Sequence, residues 1–142
     1  MKGVPPLVAN KKAAWKKRLG NAAAHVFAAL GPHHSESVYQ RALSEELQAS
    51  PAWASSISSE VLLPIYYTPS STCTPLVVGT CRLDLVITCA NGDSIAIELK
   101  GSASQPKKTM VQVQKYKRLL KETTTIFVIV FGPKHVEINL LQ

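Results

Sequence analysis

Residues 79–100, GTCRLDLVITCANGDSIAIELK, form the stretch that decides the fold. Two runs rich in β-branched residues flank a central Asn-Gly dipeptide, which is typical of a β-hairpin turn. Side chains alternate between the two faces of a strand, so Glu98 and Lys100 share a face, as do Arg82 and Asp84. The stretch therefore predicts a hairpin of two apolar strands, each carrying a charged pair on one face.

The length of the turn decides whether the two charged pairs meet. A two-residue loop of Asn91 and Gly92 would place the two carboxylates on opposite faces, since one step of register moves every side chain across the sheet. A three-residue loop, with Ala90 added and the glycine in the left-handed region, would set Asp84 opposite Glu98. We expect the three-residue loop because it gathers the hydrophobic side chains on one face and the charged ones on the other.

Two carboxylates beside a lysine point to a metal site or to a salt bridge. Adjacent carboxylates raise each other's pKa, and a divalent cation relieves this repulsion. Mg²⁺ is typically held by one or two carboxylates together with waters and substrate phosphate oxygens. The alternative for Asp84, Glu98 and Lys100 is a cross-strand salt bridge on a solvated sheet face. The spacing alone does not separate these two interpretations.

Length and charge suggest a small domain with an anionic partner. The chain has 142 residues and 46% hydrophobic content, enough for one domain with a substantial core. We expect residues 1–12 to form a flexible basic segment and residues 13–142 to form a single domain. The chain has 16 Lys and Arg against 9 Asp and Glu, a net charge of +7. This charge fits nucleic acid or an acidic membrane surface and does not distinguish them.

Cysteine and hydropathy patterns exclude several classes of protein. Cys73, Cys81 and Cys89 are odd in number and lack the spacing of zinc ligands, so we expect neither a disulfide framework nor a zinc site. The sequence has no apolar run long enough to span a membrane, and its basic start is not followed by the apolar core of a signal peptide. We therefore expect an intracellular protein, in the cytoplasm or nucleus, with no membrane partner.

Hydrophobic periodicity predicts three helices and five strands. The helices are expected at about 11–30, 35–49 and 107–121, and the strands at 60–67, on both sides of the Asn-Gly turn, at 126–131 and at 135–141. The residues expected to be buried on the first and third helices are Trp15, Leu19, Ala22, Val26 and Leu30, and Met110, Val113, Tyr116 and Leu120. A helix that crosses between two strands makes them parallel. The predicted class is α/β, a central mixed β-sheet flanked by α-helices.

Motifs in this order resemble those of the GxxExxY proteins, a branch of the PD-(D/E)XK nuclease superfamily. The stretch at 30–43, with Leu-Gly-Pro followed by Glu-Ser-Val-Tyr-Gln-Arg-Ala-Leu, is similar to the signature of the branch. The likeness continues through LPIYY at 63–67, RLD at 82–84, ELK at 98–100, QVQKY at 112–116 and FVIVFG at 127–132. It extends over about residues 13–138 and implies a restriction-endonuclease-like core.

The resemblance also implies a metal centre and its chemistry. Asp84, Glu98 and the backbone carbonyl of Leu99 would bind Mg²⁺ or Mn²⁺. Lys100 would orient or activate the attacking water and stabilise charge on the phosphate. The implied reaction is metal-dependent hydrolysis of phosphodiester bonds in nucleic acid, with DNA favoured over RNA.

Two further residues are implied as catalytic, and four basic residues as contacts to nucleic acid. Glu36 matches the helical glutamate of the branch, expected near the metal, and Gln112 matches a glutamine beside the site. The expected phosphate contacts are Arg82, Lys107, Lys108 and Lys115. The alternatives are an inactive module that binds nucleic acid without cleaving it, and a protein-interaction domain that binds an acidic partner. A homodimer is also compatible with the sequence.

Overall fold

The computed structural model describes residues 6–49, 54–101, 106–120 and 124–141. In chain order the elements are α1 (Pro6–Leu30), α2 (Glu36–Gln48), β1 (Ala54–Tyr67), β2 (Leu76–Cys89), β3 (Ser94–Gly101), α3 (Pro106–Leu119), β4 (Thr124–Phe131) and β5 (Val136–Leu141). Among these helices, none is both long and apolar enough to cross a bilayer. The predicted order of elements is confirmed, and the boundary between a flexible N-terminal segment and the domain stays a prediction.

The five strands form one mixed sheet in the order β1-β2-β3-β4-β5. The β3–β4 pair is parallel, and the other three neighbouring pairs are antiparallel. Two parallel strands need a crossover connection, and α3 provides it between the end of β3 and the start of β4. The predicted α/β class, a mixed sheet flanked by helices, is confirmed.

Helices cover both faces of the sheet. On one face Leu19 of α1 and Leu43 of α2 pack in a single cluster with sheet residues such as Ile97 and Phe127. On the other face α3 packs against the sheet through side chains such as Val113. Each fully buried side chain of this size contributes about 1.5–3 kcal/mol. Because both faces are covered, β3 and β4 are buried along nearly their whole length, as is usual for parallel strands.

The first helix begins earlier than the periodicity predicts. It starts at Pro6 rather than near Lys11, since proline is tolerated in the first helical turn, where the N–H groups have no intrahelical acceptor. It ends as predicted at Gly31, which has a φ of 77°. Leu30 is 38% exposed, so the prediction that it is buried was wrong, and the buried stripe ends at Val26.

The first strand is also longer than predicted. It begins at Ala54, so the expectation of a loop over residues 50–59 was wrong from residue 54 onward. This stretch is rich in serine and has weak strand propensity, but Ile57 pairs with Ile87 on β2, and pairing outweighs local preference. Pro64 lies on this edge strand, where a proline is tolerated because one side of the strand is unpaired.

The hairpin turn has the predicted three-residue loop. The N–H of Cys89 donates to the Asp93 carbonyl at 2.8 Å, and the N–H of Gly92 donates to the Cys89 carbonyl at 2.9 Å. Gly92 has a φ of 93°, in the region that favours glycine. Thr88 therefore lies opposite Ser94, in the register that was expected to bring the carboxylates together.

Candidate active site

The strands β2 and β3 separate where their acidic residues lie. Their ladder ends at the Leu85–Ile97 pair. Beyond this pair, the N–H of Leu99 donates to Asp84 Oδ2 at 2.7 Å. The Asp84 side chain thus replaces the β2 carbonyl that would accept this N–H if the ladder continued. Continuing the register places Asp84 opposite Glu98, with both side chains on the face that α3 covers. The separation leaves room beside two adjacent carboxyl groups.

Tyr116 of α3 connects this site to both strands. Its hydroxyl lies 2.9 Å from Glu98 Oε2 and 2.8 Å from the backbone carbonyl of Arg82. The same hydroxyl accepts a hydrogen bond from Gln112 Nε2 at 2.7 Å. A phenol has one proton, so it donates to one of its two acceptors at a time. Tyr116 therefore orients Glu98 and joins α3 to the end of the β2–β3 ladder.

The carboxyl group of Glu98 is buried and is a weak acid. The residue is 2% exposed. Burial, and then its hydrogen bond and charge repulsion with Asp84, raise the pKa of Glu98 from 4.5 to about 9. The hydrogen bond from Tyr116 and the charge of Lys100 oppose this rise. Burial and the neighbouring Glu98 also raise the pKa of Tyr116, which keeps the phenol protonated.

These groups line a cavity of about 530 Å³. The side chains around it are Glu36, Leu62, Thr80, Cys81, Arg82, Asp84, Glu98, Lys100, Gln112, Lys115 and Tyr116. The three residues expected to be catalytic therefore share one space with both acidic metal ligands. The cavity lies at the end of β3, where a substrate in solvent can reach it.

Glu36 reaches this cavity from the opposite side of the sheet. It is the first residue of α2, which packs on the other face through Tyr39 and Leu43. Its Oε2 accepts a hydrogen bond from the N–H of Gly101 at 3.0 Å. The Glu36 carboxylate is thus held at the C-terminal end of β3, at the residue that follows Lys100.

Leu99 takes part through its backbone alone. Its side chain is fully buried on the face covered by α1 and α2. Its N–H is directed to Asp84, and in a strand the carbonyl of a residue points to the same neighbour as its N–H. The carbonyl of Leu99 therefore points toward β2, on the side of the acidic pair.

The donor set suits a hard divalent cation. Two adjacent carboxyl groups, one of them buried, repel each other when both are ionised, and a cation relieves that repulsion. Two carboxylates with a carbonyl and waters are sufficient for Mg²⁺. Among the described residues, no group of three or more His, Cys, Asp or Glu side chains is arranged to hold a metal. The residues therefore fit an ion that is also bound by water and substrate oxygens.

The salt-bridge alternative is not the arrangement that the structure adopts. Within the described part of the chain, no ion pair joins Lys100 to Asp84 or to Glu98. Lys100 acts on Glu98 through its charge across the cavity. Its ammonium group is thus available to an anion that enters the space.

The hairpin of β1 and β2 is irregular beside the site, and it forms one wall of the cavity. Glu60, which lies opposite Asp84 between two paired positions, has a φ of 52°, uncommon for a residue with a Cβ. Leu85 packs on the side of α1 and α2, whereas Leu83, beyond this point, packs with residues of α3. The wall contributed by the hairpin consists of Leu62, Thr80, Cys81 and Arg82.

The predicted basic contacts are only partly gathered at the site. Arg82 and Lys115 line the cavity, and the guanidinium of Arg82 forms an exposed pair with Glu60 at 3.7 Å. Lys108 is exposed on α3 and is not among the lining residues. Lys107 belongs to α3, but its side chain lies outside the described residues. On α3, Met110 is 47% exposed, so the prediction that it is buried was wrong.

One contact of a buried side chain with the acidic pair was not predicted from the sequence. Tyr116 was expected to be part of the buried stripe of α3, and it is buried, but its hydroxyl also binds Glu98. Its spacing of four residues from Gln112 indicated that the two share a helix face. The contact with Glu98 could not be predicted from spacing, because it depends on how α3 docks on the sheet.

Comparison with known proteins identifies the family. The model of the PD-(D/E)XK nuclease superfamily matches residues 13–140. No curated protein matches the chain. A solved structure titled "Crystal structure of SSO0001" is similar, with a TM-score of 0.53 and 17% identity. The match covers 75% of this chain and 48% of that one, about half its length, so the likeness concerns the fold alone. The family match and the mixed sheet together confirm the restriction-endonuclease-like fold.

Proposed function

Because this chain belongs to the PD-(D/E)XK nuclease superfamily, we propose that it is a metal-dependent nuclease that hydrolyses phosphodiester bonds of DNA. The observation that carries the proposal is the meeting of Asp84, Glu98 and Lys100 in one cavity at the end of β3. The order and spacing of the motifs further support a place in the GxxExxY branch. The proposal assigns Mg²⁺ or Mn²⁺ as the cofactor.

Asp84, Glu98 and the carbonyl of Leu99 would hold the metal. The chemistry that a bound divalent cation supplies is an acidified water and neutralisation of the charge that develops on the phosphate. Glu98 would hold the metal as a carboxylate, so it would have to give up its proton on binding. Tyr116 holds Glu98 Oε2 by a hydrogen bond and so limits its rotation.

Lys100 is assigned the electrostatic role. Its ammonium group lies in the cavity without an ion pair to the acidic residues of the described chain. A phosphate that enters would bring its non-bridging oxygens toward this charge, which would stabilise the transition state more than the ground state. Glu36, anchored by Gly101, is placed to orient water at the edge of the site. Gln112 acts through the hydroxyl of Tyr116 as a positioning residue.

The basic balance of the chain supports nucleic acid as the substrate. The net charge is +7, and Arg82 and Lys115 stand at the wall of the cavity. Lysine and arginine that neutralise phosphates release counterions, so binding should weaken steeply as salt rises. We propose that Arg82, Lys107, Lys108 and Lys115 contribute such contacts.

Cleavage of plasmid and short single- and double-stranded DNA, with RNA in parallel, tests the proposal. We expect cutting with Mg²⁺ or Mn²⁺ and none with EDTA. Lys100→Met should lower the rate by about 100- to 1,000-fold, the usual effect of removing one electrostatic donor. The matched control is Lys11→Met, since Lys11 pairs with Asp93 at the opposite end of β3, roughly 23 Å away along the strand.

Two results would contradict the proposal. DNA binding that weakens with salt, without cutting under either metal, would instead support the inactive binding module. Cutting that survives Lys100→Met and Glu98→Gln alike would show that the activity arises elsewhere or from a contaminant.

A further inference from the structure

The hairpin of β1 and β2 extends beyond the rest of the sheet and exposes apolar side chains. Its outer ribbon consists of residues 61–67 of β1 and 76–83 of β2, which pair with each other. The β2–β3 ladder ends at Leu85, so no further strand of the described chain pairs with this part of β2. Large apolar side chains on the outer ribbon, 52–64% exposed, are Leu62, Tyr66, Tyr67, Leu76, Val77 and Val78.

The outer ribbon exposes apolar side chains on both of its faces. A two-stranded ribbon is marginally stable in water without further packing. Tyr66 and Val77 lie on one face of the ribbon, and Tyr67 and Leu76 lie on the other. Over both faces the apolar side chains expose an area on the order of 600 Å², and pairing at the strand edge would bring both faces beside the partner. The outer ribbon therefore has the size and composition of an interface.

Apart from Arg82 at its base, the outer ribbon carries no charge. From Val61 to Cys81 the sequence has no Asp, Glu, Lys or Arg, and the first charged residues on either side, Glu60 and Arg82, pair with each other at 3.7 Å. Nucleic acid is bound mainly through Lys and Arg, which this surface lacks. The chain as a whole has a net charge of +7. Two copies would repel each other through most of their surfaces, and an uncharged ribbon is where they can approach.

The geometry of the edge also suits a second copy. β1 is an edge strand of the sheet, and an unpaired strand edge is a template for pairing with another chain. Antiparallel pairing of two identical edges is isologous, so both copies use the same residues and the assembly closes at a dimer.

We propose that the outer ribbon is the interface of a homodimer of this chain. Leu62 belongs both to the ribbon surface and to the wall of the cavity. Dimerisation through this surface would therefore place the two cavities beside a shared interface. The proposal concerns assembly and does not depend on the nuclease activity.

Sedimentation velocity and light scattering test the interface. The wild-type chain should show twice its mass of 15.4 kDa within about 1–100 μM, where an interface of standard size is populated. Tyr66→Lys and Val78→Lys add a positive charge to the outer ribbon of each copy and should each raise the dissociation constant by at least about 100-fold. Val111→Lys is the control, since Val111 is 72% exposed on α3, outside the ribbon, and should remain dimeric.

Hydrogen exchange on the wild-type chain gives a reading that requires no variant. Within residues 61–67 of β1, the amides that face away from β2 should gain protection as the concentration rises, whereas those of β5, the other edge strand, should not. Pro64 has no amide hydrogen and gives no reading. A monomer at the highest concentration, or a dimer that persists in both ribbon variants, would overturn the proposal. Because these readings are masses and exchange rates, a failure here leaves the cleavage result unaffected.

Discussion

Replacing Glu98 with glutamine should stabilise the metal-free protein at high pH. The change keeps the shape of the side chain and its acceptor for Tyr116, and removes an acid that is buried beside Asp84. The glutamine amide can donate a hydrogen bond to the Asp84 carboxylate, whereas an ionised Glu98 would repel it. We expect a gain in stability because the variant keeps the hydrogen bonds and loses the charge repulsion.

The pKa of Glu98 sets the sign and the size of the effect. The unfolded chain releases this proton near pH 4.5, and the folded chain keeps it to about pH 9. The stabilising contribution of this group is therefore complete below pH 4.5 and is lost as the pH rises toward 9, at about 1.4 kcal/mol per pH unit. At pH 8 the loss has an upper limit of about 5 kcal/mol. The amide still needs hydrogen-bond partners, so we expect a gain of about 1–3 kcal/mol in Glu98→Gln.

Thermal unfolding in EDTA measures this gain. At pH 8 the variant should melt about 3–10 °C above the wild type, and this advantage should fall toward pH 5, where the wild type is equally or more stable. The control is Glu45→Gln, which removes an exposed carboxylate paired with Arg41 on the helix surface and should change stability by less than about 0.5 kcal/mol. A Glu98→Gln protein that is less stable than wild type at pH 8, or a difference that does not vary with pH, would refute the reasoning.

Three other outcomes follow from the geometry. Mg²⁺ should raise the melting temperature of the wild type at pH 8 and leave Glu98→Gln unchanged, because ligand binding stabilises only a chain that retains the site; equal shifts in both would contradict this. Tyr116→Phe should lose about 1–3 kcal/mol in urea unfolding, since it leaves buried acceptors without a donor, whereas Val111→Ala, at an exposed position outside the ribbon, should show almost no loss. Gly92→Ala should lower the free energy of unfolding by about 1–2 kcal/mol. The cause is backbone strain alone, because the added Cβ meets no atom within 4 Å and the φ is 93°. An unchanged unfolding midpoint would contradict this turn conformation.

The hairpin was predictable because its information is local. A glycine that tolerates a positive φ, two apolar runs and one charged pair on each run are enough to choose between two registers. The observed pairing of Thr88 with Ser94 is the register expected on that basis. The juxtaposition of Asp84 and Glu98 follows from this register.

Other parts of the chain were not predictable from local pattern. The serine-rich start of β1 is a strand because β2 pairs with it, and β2 is distant in sequence. Met110 lies on the apolar stripe of α3, yet it is exposed. Periodicity predicts which face of a helix is buried, but not how far along the helix the sheet covers that face. The position of Lys108 outside the cavity lining likewise depends on how α3 docks on the sheet.

The sequence by itself determined the order of the elements, the three-residue turn and the facing pair of Asp84 and Glu98, because propensity, turn chemistry and strand alternation act over a few residues. The tertiary structure alone decided how α3 docks on the sheet, and with it the contact of Tyr116 with Glu98 and the raised pKa of that acid. It also decided that Glu36 reaches Gly101. Burial and contacts between distant segments depend on the packing of the whole chain, and no short stretch of sequence encodes them.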